Sequence, residues 1–141
     1  LRDLLYLVTR DEARHVTFGI NYLEDYVKSL SQEEREDRAR FAYEACVVSR
    51  DRLLATDVFE HFGWDVEGAR KQVLGGDVYS HFRTALFSRV VPNLKRIGLM
   101  TDSIRPSFEA LGILEYEDWP DDGDIDWVQM SRPLNAEEDV A

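Results

Sequence analysis

The chain has 141 residues, enough for one domain with a sizeable core, and its 44% hydrophobic and 32% charged content is that of a soluble globular protein. A formal charge of −11 argues against nucleic acid and anionic membranes, both of which need a basic face. Apolar runs such as "LLYLV" are too short to cross a bilayer, no export leader is visible, and the lone Cys46 cannot form an intrachain disulfide, so a cytoplasmic location is expected.

The first helix is expected over residues 1–30. Spacings of four and three run through Leu1, Leu5, Val8, Glu12, His15, Gly19, Tyr22 and Tyr26, a stripe that suits the inside of a helix bundle. Leu4, Phe18, Leu23 and Leu30 widen the apolar face. Leu1 already lies inside this pattern and has no capping signal, so the chain is expected to be a piece of a longer helical protein.

Ser31, followed three residues later by Glu34, has the form of a capping box and starts a second helix near Gln32. That helix is expected to reach Phe62 and to bury Phe41, Ala45, Val48, Ala55 and Phe59, with Gly63 as terminator. Asp65 is expected to cap "VEGARKQVL", which stops at Gly75-Gly76. Asp77 is expected to cap "VYSHFRTALFSRVV", ended or kinked by Pro92. A last helix opens at Asp102 or Ser103 and ends at Gly112. Beyond Glu115 the composition turns acidic, with two prolines and no helical period. The expectation is an all-α fold: a helical domain over residues 1–114 and an irregular acidic tail over 115–141, with Trp119 and Trp127 packed on the chain's own body.

Within "RDEARHV" a carboxylate and an imidazole occupy the apolar stripe three residues apart. Such residues share a helix face, and burying a carboxylate there costs several kcal/mol unless something compensates it. Glu12 and His15 therefore form either an ordinary buried ion pair or half of a transition-metal site.

"RDEARHV" and its amphipathic continuation resemble the second metal-binding helix of the ferritin-like di-iron carboxylate proteins. That superfamily includes the small subunit of class I ribonucleotide reductase, its ligand-binding oxidase relatives and amine N-oxygenases. In such bundles two helices each give one Glu and two others each give Glu-x-x-His. The resemblance implies the C-terminal half of a ferritin-like bundle, with Glu12 and His15 as metal ligands. It implies that Asp11 steadies a ligand histidine from another helix. It also implies two iron ions, or manganese and iron, as cofactors. The chain carries three histidines and one Glu-x-x-His, so the remaining ligands would come from an N-terminal half of the same protein or from a second chain. A homo-oligomer is expected.

The function so implied is a fragment or subunit of a non-haem di-iron O₂-activating oxidoreductase. The alternatives are a metal-free helical interaction module and a ferritin-like metal store without catalysis. Elsewhere, Asp57 with His61 and Asp77 with His81 read as exposed ion pairs, Glu44 and Asp51 as a solvated flank, and Cys46 as a small core residue. Tyr22 and Tyr26 read as core aromatics.

Overall fold

In the computed structural model, residues 1–123 are described. They form six α-helices and one 3₁₀ turn, with no strand among the described residues. The all-α expectation holds. In chain order the elements are α1 (Arg2–Lys28), α2 (Gln32–Leu54), α3 (Thr56–His61), α4 (Val66–Leu74), α5 (Asp77–Arg96) and α6 (Arg105–Ala110), followed by the 3₁₀ turn Leu114–Tyr116.

The core is built around α5. Its Phe87 and Val91 are fully enclosed, and Ala39 and Cys46 of α2 pack onto them. Ile104 and Phe108 close the other side, with Ile113 and Tyr116 beside them. Tyr43 meets the Phe108 ring at 5.6 Å in a tilted pair. Such burial, at about 25 cal/mol per Å² of apolar surface, is the main stabilising term here. A smaller unit, α3 against α4, sits beside α5, and Phe59 stacks on Trp64 at 5.8 Å within it.

The capping box at α2 forms as expected. The Ser31 hydroxyl accepts from the Glu34 amide at 3.3 Å, and the Glu34 carboxylate accepts from the Ser31 amide at 2.9 Å. The Ser31 hydroxyl, which also donates to the Glu34 carboxylate at 2.6 Å, and then the Ser31 amide hold the Glu34 carboxyl below its ordinary value. Gly63 and Gly112 follow their helices with φ of +65° and +73°.

Four expectations need correction. The second helix does not run unbroken to Phe62: Ala55 takes a left-handed conformation, φ 49°, and splits the segment into α2 and α3. Phe59 is buried as expected, but the buried side of α2 is Ala39, Cys46 and Leu54, while Phe41, Ala45 and Val48 are exposed. Ala39 and Cys46 are the α2 residues that pack with Phe87 and Val91 of α5, and Phe41 and Ala45 are left along a groove beside them. Pro92 does not end its helix, which continues to Arg96 with the proline buried inside it. The last helix opens at Arg105, with Pro106 in its first turn, because Ser103 and Thr101 are engaged elsewhere: both hydroxyls donate to Glu36 of α2.

The boundary expected at residue 114 also shifts in meaning. The 3₁₀ turn spans it, and Tyr116 and Glu117 are buried, so the first part of the acidic segment belongs to the body. Trp119 meets Tyr116 edge-on at 5.5 Å while staying half exposed. Trp127 lies outside the described residues.

Candidate functional site

The N-terminal half of α1 projects from the body. Its exposed side chains include Leu4, Leu5, Leu7 and Val8, and Thr17 is the first fully buried residue, at 2% exposure. Beyond it Ile20 and Val27 continue the buried line toward α5. The buried line of α1 is therefore Thr17, Ile20 and Val27, not the stripe expected from the sequence. Tyr22 and Tyr26, expected in the core, are exposed: Tyr22 stacks on Phe18 of its own helix at 6.4 Å, and Tyr26 lies along a groove between α1, α2 and α5.

Glu12 and His15 lie on the same stripe. Helical geometry brings them together as the spacing requires: His15 Nδ1 is 3.6 Å from Glu12 Oε2. Both are exposed, with side-chain exposures of 69% for Glu12 and 77% for His15. Asp11, one position away, lies 3.6 Å from Arg14 Nη1, which holds it on the same stretch of helix. No third carboxylate, histidine or cysteine joins the pair among the described residues.

An iron or manganese ion takes oxygen and nitrogen donors of this chemistry, and two donors each about 2.1 Å from one cation span at most ~4.2 Å. The separation in this pair lies within that span, so the pair fits as two ligands of a metal site. It does not make a site alone, since a dinuclear carboxylate centre needs about four carboxylates and two histidines.

The other candidates stay apart. His81 Nδ1 contacts the Asp77 backbone carbonyl at 2.6 Å and not its carboxylate. His61 meets Phe62 edge-on at 5.1 Å. Asp51 pairs with Arg50 at 2.7 Å on the surface. Glu44 is exposed.

Between α1, α2 and α5 lies a half-open apolar groove of about 440 Å³. Leu23, Phe41, Cys46, Phe87, Val90 and Leu94 are among the side chains that line it. Burial pushes the Cys46 thiol up to about 11, so it stays protonated at neutral pH.

Sequence reasoning missed one constellation. The Thr17 hydroxyl contacts the Asp122 carbonyl at 2.7 Å and the Ala13 carbonyl at 3.0 Å. Asp122 also binds α5: its carboxylate accepts from Arg89 at 2.9 Å and from Asn93 at 2.8 Å, and its amide donates to Asn93 Oδ1 at 2.9 Å. Partners 105 positions apart carry no local signal. The only hint was an acidic stretch in a chain that holds most of its late cations on α5.

With this geometry in view, comparison with known proteins adds no relative: no family model, no curated protein and no solved structure matches the chain. No helix among the described residues is long and apolar enough to cross a membrane.

Proposed function

We propose that α1 is one wall of a ferritin-like bundle in a non-haem di-iron, or manganese–iron, oxidoreductase. Glu12 and His15 supply two of its metal ligands, and the rest come from helices that cover the exposed face. One observation carries this reading: the Glu-x-x-His pair sits within a run of exposed apolar side chains, Leu5, Val8, Phe18 and Tyr22. A helix that leaves so much apolar surface wet is built to be covered, and the pair is where that cover would meet it. Metals of this kind, when bound, activate O₂ for oxidation of a substrate or storage of an oxidising equivalent. This chain's own part is to orient the Glu12 carboxylate and the His15 ring on one face, and to bring apolar walls that keep water out. Asp11 would steady a histidine of a covering helix.

Metal analysis of the protein in its native assembly tests the reading. About two metal ions per complete bundle are expected. Glu12→Ala or His15→Ala should abolish tight binding, and unchanged metal content in either variant overturns the assignment. A second reading rests on the exposure of both side chains without a third donor. On that reading the same face is a metal-free docking surface, and Glu12→Gln would leave association intact in a metal-free assembly.

A further inference from the structure

The described part of the acidic segment after the 3₁₀ turn, residues 117–123, lies across α5 and α6 and reaches α1. Each acidic side chain from Glu117 to Asp122 meets a cation. Glu117, itself buried, takes a two-pronged contact from Arg105 of α6 and lies 3.8 Å from Lys95. Asp118 accepts from Lys95 at 2.6 Å, which holds the Asp118 carboxyl below its ordinary value. Asp121 accepts from Arg96 at 2.9 Å, and the same guanidinium reaches Glu24 of α1 at 3.3 Å. Asp122 then joins Arg89 and Asn93 of α5 to the buried Thr17 of α1. Gly123 closes the series against the Arg96 guanidinium, which an added Cβ would push aside.

We propose that residues 117–123 are an intramolecular clasp that sets where α1 crosses α5, and that Asp122 is a positioning residue for Glu12 and His15. The argument is one of placement. Between Asp3 and Thr9 every side chain of α1 is exposed, Arg10 is half-buried, and burial becomes complete only at Thr17. Thr17 is thus the first fully buried residue of α1, and its hydroxyl is met by the clasp. His15 and Glu12 lie two and five residues before it, about 3 and ~8 Å along the axis. A rigid helix pinned there carries both ligands with it. Unpinned, it keeps its own Glu12–His15 contact but loses a fixed place relative to any helix that must share the metal. The clasp is a set of charge-assisted bonds, several of them at the surface, so raised salt should loosen it in part.

The positioning role rests on the proposed function, whereas the clasp itself does not, and two readouts keep them apart. The first is amide hydrogen exchange on the protein as it stands. In Asp122→Ala, exchange across α1 residues 13–20 should quicken about tenfold or more, with α2 and the middle of α5 unchanged. Thr17→Val, which keeps the shape and removes the hydroxyl, should do the same. Gly123→Ala should follow by displacing Arg96. Both Asp122 variants keep the main-chain carbonyl that Thr17 meets, but Asp122→Asn also restores a side-chain acceptor for Asn93 and should recover most of the protection. Unchanged exchange in both Asp122→Ala and Thr17→Val overturns the clasp.

The second readout is broadening of the His15 ring resonances by Mn(II). Wild type should bind weakly through two ligands. In the native assembly, Asp122→Ala should bind several-fold more weakly than wild type, with Asp122→Asn near wild type. Equal affinity in Asp122→Ala and wild type, alongside altered exchange, overturns the positioning role and leaves the clasp. Absence of any response at His15 in the wild-type assembly overturns the proposed function and with it the positioning role.

Discussion

The body around α5 and the N-terminal half of α1 are both amphipathic helical structure, yet they end in opposite states. In the body, Phe87, Val91, Phe108 and Ile113 are sealed on every side, and the loops are tied down by side chains such as Glu36 with Ser103 and Thr101. In α1, Leu1, Leu5 and Val8 follow an equally regular spacing and face outward. The difference teaches what periodicity means. A regular apolar stripe does not by itself bury a face; burial follows only where a complementary surface packs on it.

Three experiments break or sharpen that contrast, in falling order of effect. Phe108→Ala empties a fully enclosed position that meets Tyr43, and should cost about 3–5 kcal/mol of stability by denaturant titration. A cost under about 1 kcal/mol would mean that the body is no better packed than α1.

Acid should act next, and on the body. Hydrogen bonds from Ser103 and then Thr101 hold the Glu36 carboxyl below its ordinary value of 4.5, and Lys28 does the same for Glu24. A carboxylate with a lowered folded value binds protons less readily folded than unfolded. Its stabilising contribution is complete above 4.5 and disappears as pH falls through the lower folded value. The denaturation midpoint should therefore decline through that window, and Glu36→Gln should flatten the decline. An equally steep decline in Glu36→Gln would remove this tie from the account.

The smallest effect is expected on α1. Leu5→Ser and Val8→Ser, alone or together, should leave the stability of the isolated chain within about 0.5 kcal/mol, since neither side chain is covered. The same pair should abolish association with whatever helices cover the face. A large loss of stability in the isolated chain would show that the face is already covered within it.

Much of the fold was legible because its signals are local. The Ser31–Glu34 box, the glycines at 63 and 112, and the stop at Gly75-Gly76 each act through their neighbours, and each holds. The break at Ala55 was not legible, since alanine is the strongest helix former and rarely takes the left-handed conformation found there. Pro92 misled for the converse reason: packing around a buried proline outweighs its missing donor. At the candidate site, spacing correctly placed Glu12 beside His15, because i and i+3 depends on the helix alone. The exposure of the pair, and the link from Thr17 to Asp122, depend on the whole fold.

Cys46 offers a further use. It is nearly enclosed at the floor of the groove between α1, α2 and α5, and its thiol remains protonated at neutral pH. Alkylation must therefore wait for the groove to breathe, which makes the thiol a built-in clock for separation of those three helices. Anything that seats itself there will slow the clock, so one labelling rate can screen candidate occupants without knowing beforehand what they are.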